Sequence, residues 1–260
     1  MKLALTHEVS ERITQCEVNF REREPIDVSL ARRQHDAYCQ WLAQAGCEVV
    51  KLNINPEFPD SVFVEDNAVV VDEVAVVTPM GVASRRGEVV CMAPVLAQYR
   101  PLTHLVDVGG PGATLEGGDV LQVGRKLWAG LSTRTNAVGV AALRQILATH
   151  GYEVIAVPLA GTLHLKSALG CLDDETLIIN PEAISKEYFE GFKFIDVVPE
   201  EPRGANVLRI GERIAVYAGY SLTLQKLRQA GYDPTPIDVS ELIKADSGMT
   251  CSSIIMNQLP

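Results

Sequence analysis

The feature that most limits how this chain can fold is a repeated order of elements. VLQVGRKLWAGL (120–131) reads as two strands turning at Gly124-Arg125, followed by a helical stretch, TNAVGVAALRQILATHG, and a strand, YEVIAVP. ALGCLDDETLIIN turns near Asp174-Glu175 and leads into a weaker helix, ISKEYFEGF, and the strand KFIDVVP. NVLRIGERIAVYAG turns at Gly211-Glu212 and precedes SLTLQKLRQAG and a strand ending PIDV. Upstream, AVVVDEVAVV turns at Asp72-Glu73, before a helix spanning Arg85 to Gln98 and a strand near 103–108. In the run around 113–136, apolar and polar residues alternate as they do in a half-buried strand pair. The turns recur at intervals of roughly 50, 50 and 40 residues, the mark of a repeat architecture.

The N-terminal region carries a shorter version of the unit. Residues 2–8 read as a strand, IDVSLARRQHDAYCQWLAQAG as a helix ending at Gly46, and CEVVKLN (47–53) as a second strand. The late strand TCSSIIM supplies the missing piece and closes a ring of five α/β units. An open α/β sheet would account for the helices but not for the repeated hairpins. With no linker or low-complexity segment, residues 1–260 are expected to form one domain. A closed ring brings loops from every unit around one central channel, so reactive residues far apart in sequence can meet.

Composition removes several classes of function. No apolar run approaches the length of a membrane span, and the apolar stretch in MKLALTHEVSER is too short for a signal peptide. The six cysteines are scattered without CxxC spacing, against a disulfide framework or a structural zinc site. The expected setting is cytoplasmic. The net charge of −10 and the lack of a basic stripe argue against nucleic acid as a partner. An acidic chain suits a small cationic substrate.

The candidate reactive residues are Asp60, Glu65, Asp66, Arg85, Glu116, Arg134, His164 and Cys251, most of them where a strand meets a loop. Glu116 precedes Gly117-Gly118-Asp119, and a glycine pair lets backbone approach closely because no Cβ intrudes. The plainer reading is a turn in which Asp119 caps local amides. Cys39, Cys47, Cys91 and Cys171 read as small buried hydrophobes. Cys251 differs, with a polar approach (Ala245 to Gly248) and a place at a strand start; a reactive thiol needs partial exposure and electropositive surroundings. His164 lies between Leu163 and Leu165, where a core histidine is the common case, but Lys166 and Ser167 make its face wet. A cysteine and a histidine distant in sequence and joined by the fold form a nucleophile–acid/base pair.

Taken together, FPDSVFVED (58–66), SRRGE (84–88), LEGGDV (115–120), GLSTRTN (130–136), LHLKS (163–167) and TCS (250–252) resemble the dimethylarginine dimethylaminohydrolases, relatives of arginine deiminases and amidinotransferases. The motifs follow the family order and span nearly the whole chain. The resemblance implies a five-bladed α/β propeller, the pentein fold. It implies Cys251 as nucleophile, His164 as acid/base and Glu116 as the carboxylate near both. Asp66 matches the second guanidinium-binding carboxylate, Asp60 the contact to the substrate amine, and Arg85 and Arg134 the contacts to its carboxylate; Glu65 joins the substrate-binding set. It implies no cofactor and no required metal, although zinc on Cys251 and His164 would inhibit. A homodimer is compatible with it.

The implied chemistry is the hydrolysis of Nω-methylated arginine to citrulline and a methylamine through a covalent Cys251 thiouronium. Asn67 departs from the pattern, since an apolar residue usually follows the VED. Either Asn67 faces away from Asp66 across a strand, or its amide favours another substituent on the guanidinium. The latter alternative leads to an arginine deiminase or dihydrolase releasing ammonia. A catalytically silent guanidino-compound binding protein would need the specificity residues without the nucleophile.

Overall fold

The computed structural model describes residues 1–258. Along the chain come β1 (Lys2–His7), α1 (Val28–Gln44), β2 (Cys47–Leu52), β3 (Ala68–Val70), β4 (Ala75–Val77), α2 (Glu88–Leu96), β5 (Leu102–His104) and α3 (Leu105–Gly109). Then follow β6 (Val120–Val123), β7 (Lys126–Leu131), α4 (Ala137–Ala148), β8 (Glu153–Pro158), β9 (Leu169–Cys171), β10 (Thr176–Ile179) and β11 (Lys193–Asp196). The last stretch holds β12 (Leu208–Ile210), β13 (Arg213–Tyr217), α5 (Ser221–Gln229), β14 (Pro234–Ile237), α6 (Ser240–Ile243) and β15 (Ile254–Asn257).

The strands form five separate three-stranded sheets with one topology. In each, an inner strand (β15, β3, β6, β9 or β12) pairs antiparallel with a middle one, which pairs parallel with the third. The parallel pair requires a crossover, and the segment between middle and third strands supplies it. The first sheet takes its inner strand from the far end of the chain: Lys2 faces Asn257 and Leu5 faces Ile254. Inner strands pack against one another, β15 on β3, β6 on β9 and β9 on β12. This is a five-bladed α/β propeller, as the recurring turns and the late strand suggested.

Apolar residues fill the wedges between blades and beneath the helices. In the third blade, Leu143 and Leu147 of α4 meet Leu127 and Ala129 of β7 and Val154 of β8. Full burial of a leucine or valine contributes about 1.5–3 kcal/mol. Helix α1 begins where the Asp27 carboxylate accepts the Leu30 amide, and α4 where the Asn136 side chain accepts the Gly139 amide.

Three local expectations are corrected. The strand near 103–108 stops at His104, and α3 takes over; Leu105 is buried whereas Val106, Asp107 and Val108 are all exposed, which breaks the two-residue period. The helix expected in ISKEYFEGF is one 3₁₀ turn, Lys186–Tyr188. There the aromatics anchor the chain: Phe189 and Phe192 pack on Trp128, each with ring centroids 5.5 Å apart, and Trp128 Nε1 donates to the Tyr188 carbonyl. Of the cysteines read as buried hydrophobes, Cys39 and Cys47 are buried and Cys171 partly so, but Cys91 is exposed on the outer face of α2. Among the described residues, no helix is long and apolar enough to cross a membrane.

Candidate active site

Four of the five inner strands are preceded by a residue singled out from the sequence. Asp66 stands before β3, Glu116 before β6, His164 before β9 and Cys251 before β15; in the fifth blade Asn206 holds the equivalent place before β12. The repeat thus brings one side chain from each blade to the hub. None sits within a strand. Asp66 lies in a 3₁₀ turn, Glu116 and His164 are the extended residues that open 3₁₀ turns, and Cys251 lies in the turn leading to β15. The expectation of Cys251 at a strand start is corrected to a tight turn that aims its side chain inward.

The glycine pair has a specific use. A Cβ on Gly117 would sit 2.0 Å from the Glu65 carbonyl oxygen, and one on Gly118 would lie 2.6 Å from His164 Nδ1 and 2.7 Å from Asp66 Oδ1. Without them the 116–119 turn packs between the Asp66 turn and the His164 ring, and the Gly118 amide donates to Asp66 Oδ1 at 3.0 Å. Asp119 does not cap local amides. Its carboxylate accepts the Leu165 amide at 2.9 Å and the Ser132 hydroxyl at 2.6 Å, tying three loops together behind the histidine.

His164 Nε2 lies 2.8 Å from Glu116 Oε2, and Nδ1 lies 3.9 Å from Asp66 Oδ1. Burial alone pulls the imidazole down, but Asp66, Asp119 and Glu116 outweigh it and carry His164 up to about 9. Burial pushes Glu116 up; its hydrogen bond to His164 and the charges of His164, Arg85 and Arg134 reverse this and hold it at about 2. The pair is a carboxylate–imidazolium at neutral pH. Burial and the negative charges of Glu65 and Asp66 push the Cys251 thiol well up, while the Gly248 amide, 3.3 Å from Sγ, acts the other way.

Arg85 and Arg134 are buried and fold onto the carboxylates. Arg85 Nη1 donates to Asp66 Oδ2 at 2.6 Å, while Nε and Nη2 clamp both oxygens of Glu88 at 3.0 and 2.9 Å. Arg134 Nη1 donates to Glu116 Oε1 at 3.3 Å, beside the Gly81 amide at 3.0 Å. Asp60 accepts the Glu17 amide at 3.2 Å, and burial raises it to about 6, partly offset by Arg85.

Asp60, Asp66, Arg85, Arg134, His164 and Cys251 border one cavity; Glu116 lies just behind, fully buried. The free space is about 20 Å³, with both arginines in its lining. Glu65 is not part of this wall. Its carboxylate points to the opposite side, accepting Lys166 Nζ at 2.5 Å and the Thr250 hydroxyl at 2.7 Å. Asn67 also turns away, donating to Glu88 Oε2 at 3.3 Å. Ligand atoms of Asp66, Glu116 and His164 lie within 4.8 Å of one another. A divalent cation there would compete with the protein's own donors.

Sequence reasoning missed Glu88, Asn206 and Asp246. Glu88 stands in the SRRGE motif, and its i,i+3 spacing from Arg85 was the available signal. Asn206 accepts the Thr250 amide at 3.1 Å and donates to the Lys166 carbonyl at 2.8 Å, which only the fold reveals. Asp246 adopts φ 56°, and its carboxylate accepts the amides of Asn19 and Phe20 at 2.6 and 2.8 Å, pinning that segment beside the cavity.

Fold and site together define a five-bladed α/β propeller with a cysteine, a histidine and paired carboxylates at its hub. The family model for eukaryotic N,N dimethylarginine dimethylhydrolases matches residues 4–212. The chain is 37% identical over 259 residues to the N(G),N(G)-dimethylarginine dimethylaminohydrolase of Streptomyces coelicolor, covering 99% of this chain and 98% of that protein. It is 36% identical over 228 residues to that of Pseudomonas aeruginosa, covering 88% and 89%. The crystal structure of a cysteine-to-serine variant of the Pseudomonas aeruginosa enzyme with citrulline superposes with a TM-score of 0.91 at 31% identity, covering 97% of this chain and 98% of that one. The protein belongs to the dimethylarginine dimethylaminohydrolase family. The N-terminal domain of a cyanobacterial arginine dihydrolase, 19% identical with a TM-score of 0.84, shares the fold.

Proposed function

We propose that this protein hydrolyses Nω-methylated arginine at its guanidinium carbon, giving citrulline and a methylamine. The observation that carries the reading is the meeting of Cys251, His164 and Asp66 in one cavity, with Glu116 hydrogen-bonded to His164 behind it, in a chain of this family. Asp66 and Glu116 hold the planar cation by charged hydrogen bonds. Asp60, Arg85 and Arg134 take the amino-acid head.

The resting site holds a thiol and an imidazolium. A bound guanidinium offsets the carboxylates that push Cys251 up, so the substrate promotes ionisation of its own nucleophile, whose proton passes to bulk water and returns to the sulfur after the C–S bond breaks. The thiolate attacks the guanidinium carbon, His164 donates its proton to the departing amine, and a thiouronium remains on Cys251. His164, now neutral and strongly basic beside Glu116, takes a proton from water as the oxygen attacks the carbon, and the C–S bond breaks.

The arginine-hydrolysing alternative rested on an amide beside the guanidinium. Asn67 donates to Glu88 instead, which removes that support. The test is a panel of asymmetric dimethylarginine, monomethylarginine and arginine, scored for ureido product and released amine, with Cys251→Ser as control. The methylated substrates should be turned over at least tenfold faster than arginine, with loss by several orders of magnitude in the control. Equal or faster release of ammonia from arginine overturns the substrate assignment, and an active Cys251→Ser overturns the nucleophile.

A further inference from the structure

A second and much larger space lies on the other side of the catalytic residues. All five inner strands line an axial channel of about 550 Å³. Its outer mouth is marked by the exposed Asp72, Gln122 and Asp174, at or near the hairpin turns. Its inner end is formed by Glu65, Gly117, Lys166 and Thr250.

The residues that close the channel are near neighbours in sequence of those that line or back the catalytic cavity. Glu65 precedes Asp66, Gly117 follows Glu116, Thr250 precedes Cys251, and Lys166 stands two residues after His164. At three of these four places the chain sends one side chain to each side. The partition is polar: Glu65 joins Lys166 and Thr250 by hydrogen bonds, and its own amide donates to the Cys251 carbonyl at 3.1 Å. A buried polar site holds a water when the molecule finds two to four polar partners there.

The reaction gives this geometry a use. Once the thiouronium has formed, the remainder of the substrate is still tethered to Cys251, with its head between Asp60, Arg85 and Arg134. That head occupies the side by which it entered. The channel ends instead at the Cys251 and His164 side. Resting on the hydrolytic reading above, we propose that the axial channel is a separate entrance for the water that hydrolyses the thiouronium, with Glu65, Lys166 and Thr250 as its neck. The water oxygen forms the new bond to carbon and the C–S bond breaks, leaving the electron pair on Cys251. One water-derived proton passes to His164, replacing the one given to the amine. The second is taken up by the amine product, which ends as its ammonium ion.

The experiment plugs the channel away from the catalytic residues. Val70 and Leu121 line it from different blades and are half-buried, so Val70→Trp and Leu121→Trp each narrow it independently; melting curves verify the fold. Single turnovers with asymmetric dimethylarginine are quenched at intervals. Dimethylamine, citrulline and the mass of the protein adduct are measured. The expected result is amine release within twofold of wild type, citrulline formation at least tenfold slower, and accumulated adduct on Cys251. Citrulline formation at the wild-type rate in a folded plug variant overturns the proposal, as does equal slowing of both steps. An adduct that never forms in the wild type would instead overturn the hydrolytic reading itself.

Discussion

Replacing Glu116 by glutamine removes a negative charge that water cannot replace, since the side chain is 0% exposed. His164 rises from 6.5 to about 9 because Asp66, Asp119 and Glu116 together overcome burial. A rise of that size is linked to about 3 kcal/mol of folding stability. For a base raised in the folded state, this stability is present in full below pH 6.5 and is lost as pH climbs through 9. Glu116, lowered from 4.5 to about 2, reports the same pair from its other end. That contribution is present above pH 4.5 and lost as pH falls through 2. The pair counts once and acts fully between pH 4.5 and 6.5. Asp66 and Asp119 supply part of the rise, so Glu116→Gln should cost about 1–3 kcal/mol within that window and clearly less at pH 9.5. Urea unfolding of both proteins at pH 5.5 and 9.5 measures the difference. An equal penalty at both values would refute the electrostatic reasoning and leave a loss of packing or hydrogen-bond geometry.

Three further outcomes test the site. His164→Gln should still form the Cys251 adduct slowly but fail to release it, with trapped adduct seen by mass spectrometry; turnover without accumulation would contradict the role. Because burial carries Asp60 to about 6, KM should rise as pH falls through 6, when the protonated carboxyl no longer pairs with the substrate ammonium. Asp60→Asn should have a high KM without that pH dependence, and an unchanged pH profile in this variant would exclude the contact. Agmatine, which lacks the carboxylate, should lose roughly 3 kcal/mol, over a hundredfold in kcat/KM, relative to dimethylarginine. Its guanidinium takes Asp66 and Glu116 from Arg85 and Arg134 and offers those arginines nothing in return; parity between the two substrates would mean the arginines do not hold the head.

Much of the fold was legible because each hairpin pairs two apolar-rich runs across a polar turn, and those turns at Asp72, Gly124, Asp174 and Gly211 lie where expected. The misread segments are those where few residues decide the outcome. In 105–109 and 186–188, one buried leucine or a set of aromatics settles the local path, and neither carries a long period. The site was legible as a set of residue types near strand ends. Which way each faced was not. Glu65 and Asp66 are neighbours, yet they point to opposite sides because the turn at 64–67 is packed against Gly117 and Gly118. The folding of Arg85 onto Asp66 and Glu88, and of Arg134 onto Glu116, depends on distances that no spacing encodes.

The first blade is fastened by antiparallel pairing of the two ends of the described chain, Lys2 with Asn257 through Leu5 with Ile254. Cys251 hangs three residues before that buckle, and its carbonyl is gripped by the Glu65 amide of the next blade. The thiol therefore serves as a gauge of ring closure. Heat or denaturant that slips the buckle disarms Cys251 while the other four sheets still stand, so loss of activity should run ahead of loss of helical signal. A chain rejoined through a linker across the buckle and cut anew at the exposed turn after Leu172 keeps the same ring but moves its open seam two blades away from the nucleophile.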